Sequence, residues 1–172
     1  YAKVQALLDT YATEDRKVAI LATEWGFATN KFVSDDLQAD VLVRMFLMNL
    51  SFGIPLTIAY VAVDRTEAYV PPEERTYGIV TADYTRKAAF VQLQDMMARV
   101  KGLQFFERLP SDPADYLLVF TNGPQRITAG WTSGDPPDTV FDNRTVQLTR
   151  RPLALATCTL LPPRTVLRHV WT

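Results

Sequence analysis

The sequence predicts an α/β unit followed by a smaller all-β unit, and three observations carry that prediction. Up to about residue 101, apolar segments of helical period alternate with continuous apolar runs of strand length. From residue 103 onward the pattern changes to short strand-like runs separated by turn residues, and an Asn122-Gly123 pair lies between two of them. Alternating helix and strand is the pattern of a parallel α/β architecture. Short strands joined by an Asn-Gly turn form antiparallel hairpins, here read as a small β-sandwich.

Along the chain, Val4, Leu7, Leu8 and Tyr11 lie three and four residues apart and predict an amphipathic helix over 1–13. A polar turn over 14–17 follows. Residues 18–22 form an unbroken apolar run, which suits a parallel strand buried on both faces. Ser34 with Asp35, Asp36 and Gln38 marks a helix start, because a hydroxyl cap and early acids satisfy the free amides and the positive helix end. That helix is expected to reach Phe52 and stop at Gly53. A second strand is expected over 54–63, with Pro55 near its start where a missing amide is tolerated. Thr85 is placed to cap a third helix over 86–101, with Phe90, Leu93, Met97 and Val100 on one face and Gly102 as its stop.

The β part is predicted to hold strands over 103–109, 116–121, 125–132, 145–148, 153–160 and 165–171, with 134–138 as a break. The expected division is therefore 1–101 and 102–172.

Composition narrows the chemistry. The 172 residues carry 18 basic and 19 acidic side chains, a net charge of -1 with no basic run, so no nucleic-acid footprint is present. Arg44 and Asn49 interrupt the longest apolar stretch, so no membrane span is expected. One Cys and one His give no metal cluster and no Cys/His or Ser/His nucleophile system. No cofactor is called for, Cys158 reads as a buried thiol, and any catalysis must run on carboxylates. Asn143-Arg144-Thr145 is a glycosylation sequon in an expected turn, and Asn49-Leu50-Ser51 is a second inside a helix. The sequon at Asn143 favours an extracellular, cell-surface or periplasmic setting.

The segment AILATEWGFAT, residues 19–29, resembles the seventh strand of cellulase-type (β/α)8 retaining glycoside hydrolases (clan A, family 5/39-like), where the nucleophile Glu follows an apolar strand and precedes an aromatic residue and Gly. QADVLVRMFLMNLSFGIP, residues 38–55, is similar to their seventh helix entering the eighth strand. EERTYGIV at 73–80 and RKAAFVQL at 86–93 resemble the loop and last helix that close the barrel. The resemblance covers residues 1–131 and implies the C-terminal part of a TIM barrel, from helix 6 to helix 8, followed by a β-domain.

The resemblance further implies that Glu24 is the nucleophile, with Trp25, Tyr60, Asp64 and Glu67 facing a carbohydrate substrate. Retaining hydrolysis needs an ionised carboxylate about 5–5.5 Å from a second carboxyl acting as acid and base. A strand end fixes such a group on the catalytic face of a barrel. Two departures stand out. Ala59 and Ala62 flank Tyr60 where these enzymes often place a Trp, and the acid/base Glu of the fourth strand would lie upstream of Tyr1. The chain is thus expected to be a fragment needing the N-terminal barrel portion or a covering protein partner. The rival expectation is an inactive glycosidase-like carbohydrate-binding or scaffold component, and a third is a complete small α/β plus β binding domain.

Overall fold

The structure, a computed structural model, describes residues 1–13, 16 and 18–132 together with the backbone of Val166–His169. The expected strands over 145–148 and 153–160, Asn143 and Cys158 lie outside the described residues, as does most of the turn over 14–17.

Helix α1 (Ala2–Tyr11) precedes strand β1 (Ala22–Trp25), and the 17-residue helix α2 (Asp35–Ser51) leads to strand β2 (Thr57–Ala59). A 3₁₀ turn (Pro72–Glu74) interrupts the long loop before helix α3 (Ala88–Val100). Strands β3 (Gln104–Arg108), β4 (Asp115–Thr121), β5 (Arg126–Thr132) and β6 (Val166–His169) follow. β1 and β2 pair in parallel, Ala22 opposite Thr57 and Trp25 opposite Ala59, and β3 to β6 form an antiparallel sheet in sequence order.

The helix signals act as the sequence predicts. Ser34 Oγ accepts the Leu37 N–H (3.1 Å), satisfying one of the free amides at the start of α2. The chain leaves the two long helices at Gly53 and Gly102, whose φ of +67° and +75° suit a residue without Cβ. At α3 the expected cap is wrong. The N-cap is Lys87, not Thr85, because Thr85 belongs to a tight loop in which its N–H is bound by Thr81 Oγ1 (3.0 Å) and its carbonyl accepts the Thr81 N–H (2.9 Å).

The strands need more correction. The apolar run over 18–22 is not a strand buried on both faces: β1 begins at Ala22, and Val18 and Leu21 are 46% and 49% exposed. β2 is shorter than the expected 54–63, with Leu56 and Ile58 exposed. Among the described residues α2 backs one face of this two-stranded sheet, and pairing rather than hydrophobicity decides where the strand lies. β1 extends only where β2 supplies partners.

One hydrophobic cluster joins the helical and β parts. Ala39, Leu42, Val43, Met45, Phe46 and Leu47 of α2 pack with Ala89, Leu93 and Met96 of α3, and Leu118, Phe120 and Ala129 of the antiparallel sheet join the same core. The sheet is therefore faced by helices on this side. The Asn122-Gly123 hairpin is present as a loop over 122–125, with Thr121 opposite Arg126 and the Gln125 N–H bound by Asn122 Oδ1 (2.9 Å). β3 carries an irregularity between Phe105 and Glu107 that turns Phe106 outward, 60% exposed. No helix among the described residues is long and apolar enough to cross a membrane.

Phe120 is 1% exposed and meets Phe105 edge-on at 5.8 Å between ring centroids. Phe120→Ala removes a ring from the one core shared by helices and sheet. It is expected to lower stability by about 3–5 kcal/mol, read as a lower urea midpoint. Because the core is common to both parts, far-UV signals of helix and sheet should lose stability together.

Candidate functional site

The C-terminal ends of β1 and β2 lie side by side, and the residues singled out from the sequence cluster around them. Glu24 and Trp25 close β1 and are exposed. Trp25 is paired with Ala59, and the Trp25 carbonyl accepts the Tyr60 N–H (2.6 Å), so Tyr60 is fixed directly beside the end of β1. The Tyr60 ring is half-buried and meets Tyr77 edge-on at 5.5 Å. The structure thus brings Glu24, Trp25 and Tyr60 to neighbouring strand ends.

Two glycines permit this approach. A Cβ on Gly26 would run into the Tyr60 carbonyl and press on the Tyr77 ring. A Cβ on Gly78 would overlap the backbone of Asp64 and Val80 and the Asp64 carboxylate. Beyond β2 the chain continues beside the 77–80 segment: Val61 N–H donates to the Tyr77 carbonyl (3.3 Å), Ile79 N–H to Val61 (3.2 Å) and Val80 N–H to Ala62 (3.1 Å).

Asp64 and Glu67 have different settings. Asp64 is turned inward, its Oδ1 accepting the Gly78 N–H (2.8 Å) and standing 3.6 Å from Lys87 Nζ. Glu67 is exposed and lies 3.7 Å from Arg65, whose guanidinium also donates to Tyr69 Oη (3.4 Å). The Glu67 carboxyl is held below its ordinary value of 4.5, first by its own backbone N–H and then by the Arg65 charge. Arg65 is pushed up, chiefly by the hydrogen bond with Tyr69, with Tyr60 adding a further one.

A polar cluster absent from the sequence expectations ties these loops together. Thr29 and Thr76 exchange hydrogen bonds, Thr29 N–H to the Thr76 carbonyl (3.1 Å) and Thr76 Oγ1 to the Thr29 carbonyl (2.6 Å). Gln38, fully buried in the first turns of α2, donates from Nε2 to the Phe27 carbonyl (2.6 Å) and reaches the Thr76 and Tyr77 carbonyls at 3.4 Å. Lys87 Nζ donates to Thr29 Oγ1 and the Thr76 carbonyl, both at 3.3 Å. The one sequence cue was Lys87 itself: a cation at a helix N-terminus opposes the helix dipole unless acids answer it. Here Asp64 and Asp35 do so.

Among the described residues no group of three or more His, Cys, Asp or Glu is arranged to hold a metal ion. Asn49, in the sequon inside α2, is buried, and its side-chain amide donates to Thr57 Oγ1 (3.0 Å).

The helical pair behind short parallel strands, continued into an antiparallel sheet, is similar in fold to part of a glycoside hydrolase. One similar solved structure is a family 39 glycoside hydrolase from the gut symbiont Bacteroides cellulosilyticus WH2. It superposes with a TM-score of 0.64 at 20% identity over 77% of this chain, and the match spans 27% of that protein's chain. No family model and no curated protein sequence matches the chain.

Two expectations follow. Gly26→Ala forces the end of β1 away from Tyr60 and should cost about 1–3 kcal/mol in urea unfolding. Glu67, with its pKa lowered on folding, contributes stability above pH 4.5 that is lost as the pH falls through its lower folded value. Carboxyl NMR titration should place Glu67 below 4.5, and Arg65→Gln should move it upward.

Proposed function

We propose that the chain is the C-terminal part of a retaining glycoside hydrolase acting on a β-linked glucan or related glycan, with Glu24 as the nucleophile. Residues 1–101 are then the last part of a (β/α)8 barrel and 102–172 its appended β-domain. The observation that carries the reading is Glu24 itself: an exposed carboxylate at the C-terminal end of a parallel strand, with Tyr60 directly after the paired strand, in a glycoside hydrolase-like fold. Carboxylates that act on sugars in barrel enzymes stand at this end of the strands.

In this reading Glu24 attacks the anomeric carbon, the leaving oxygen takes a proton from a second carboxyl, and that same group then activates the water that releases the sugar. The second carboxyl is supplied from outside these 172 residues. The exposed apolar side chains Val18, Leu21, Leu56 and Ile58 support such a completion, because parallel strands are ordinarily covered on both faces. The covering element is the remainder of the barrel. Trp25 and Tyr60 offer ring surface to the sugar, and Glu67, held ionised by its backbone and Arg65, accepts from a sugar hydroxyl. Asp64 acts on the substrate indirectly, through the loop it braces. An extracellular or cell-surface setting, where glycans are met, belongs to the same reading.

The second reading, an inactive carbohydrate-binding or scaffold component, draws support from exposed Ala62 and half-buried Ala59 on either side of Tyr60, which leave little apolar floor for a sugar ring. One experiment separates the two. The complete polypeptide bearing this chain is assayed on chromogenic β-glycosides and soluble β-glucans, beside Glu24→Gln. Loss of turnover on the order of 10⁴-fold or more with an unchanged circular dichroism spectrum is the expected result. Undiminished turnover in the variant would remove Glu24 from the mechanism, and a wild type that binds glucan without turnover would favour the scaffold.

A further inference from the structure

We propose that Lys87 is a positioning residue: its buried amine holds the loop after β1 and the loop after β2 in one arrangement, and so sets where Glu24 and Tyr60 stand. The second clause rests on the glycosidase reading; the first does not.

The Lys87 side chain is 3% exposed, and Nζ reaches four groups on separate segments. Thr29 Oγ1 belongs to the loop after β1, and the Thr76 carbonyl to the loop before α3, each at 3.3 Å. Asp64 Oδ1 follows β2 at 3.6 Å, and Asp35 Oδ1 opens α2 at 3.8 Å. The two carboxylates are not equivalent. Asp35 is 58% exposed and its pairing is screened by water, whereas Asp64 is 14% exposed and also engaged by the Gly78 N–H. A lysine needs about three acceptors to satisfy its donors, and this one finds them only if both loops are in place.

The linkage from Lys87 to the strand ends is short. Thr29 lies three residues beyond Gly26, and the Gly26 backbone is in van der Waals contact distance of the Tyr60 carbonyl, with no room for a Cβ. A displacement of Thr29 therefore has no slack in which to dissipate before it meets Tyr60 and the end of β1. On the other side, Asp64 is joined to Val80 and Gly78 by backbone and side-chain hydrogen bonds, so the segment after β2 moves with 77–80. Gln38 braces the same loops from α2 through neutral hydrogen bonds. Lys87 is the member whose removal leaves the partly buried Asp64 carboxylate facing an apolar side chain, which drives Asp64 outward toward water.

The test uses the complete polypeptide with Lys87→Met, Thr29→Val and, as a surface control, Lys101→Met. Thr29→Val deletes the hydroxyl that accepts from Lys87, together with its long hydrogen bond to the Thr76 carbonyl (3.5 Å), and keeps the backbone bonds of Thr29, so it remains informative if Lys87→Met fails to fold. Amide hydrogen exchange is followed at Thr29, Gly78, Ile79 and Val80 against amides of α2 and β4, and kcat and KM are measured on a chromogenic β-glycoside. The expected result is exchange faster by about tenfold or more at the loop amides with α2 and β4 unchanged. It should be accompanied by a fall in kcat/KM of about 10- to 100-fold, carried mainly by kcat, with smaller changes of the same kind in Thr29→Val. Unchanged loop exchange in both variants overturns the proposal. Faster loop exchange with wild-type kcat and KM reduces Lys87 to a structural tie and overturns the positioning role. A wild type without turnover counts against the glycosidase reading, and the exchange comparison then decides the latch alone.

Discussion

The burial of α2 is the constraint on which the rest of the structure depends. Its middle is apolar and is covered by α3 and by the antiparallel sheet, through Leu42, Val43, Phe46 and Leu47. Its two ends carry buried amides that do a different task. Gln38 near the start reaches the carbonyls of the loops beyond the strands, and Asn49 near the end reaches Thr57 at the start of β2. A buried amide is tolerated only when it is hydrogen-bonded, so each of these fixes the helix along its own axis relative to the strands. Hydrophobic packing alone is non-directional and would let the helix slide.

This arrangement places the polar cost at one end of the molecule. Lys87, Asp64, Gln38, Thr29 and Thr76 gather beyond the C-terminal ends of β1 and β2, where 61–64 is bonded to 77–80 through the backbone and the side chains tie that pair to the loop after β1 and to α2. The result is a hydrogen-bonded rim beside the exposed Glu24.

Local signals were readable in the sequence, and long-range ones were not. Ser34 with Asp35 and Asp36 announced α2, Gly53 and Gly102 ended both long helices, and Asn122-Gly123 announced the hairpin, because each acts through its immediate neighbours. The run over 18–22 misled for a physical reason: apolarity records a need for cover, while strand limits record where a partner's backbone offers hydrogen bonds, and β2 offers them only opposite 22–25. Thr85 misled because Thr81 and Asp83 compete for it, and a hydroxyl residue fits a turn as well as a cap. At the site, Glu24, Trp25 and Tyr60 were legible as strand-end residues. Lys87, Thr29 and Thr76 were not, since their significance lies in meeting across nearly sixty positions of chain.

The glycine at position 26 bears on how relatives of this chain can be found. At 20% identity the structural neighbour shares the fold but few residues, as cores that accept many volume-preserving substitutions allow. A position where a Cβ would run into a neighbouring segment's backbone is expected to drift far less, because backbone atoms cannot swing aside as a flexible side chain can. Gly26, two residues past Glu24, and Gly78, lodged against Asp64, are such positions. A profile that weights Gly26 and Gly78 above the hydrophobic positions should therefore recover distant homologues that whole-chain comparison dilutes into noise.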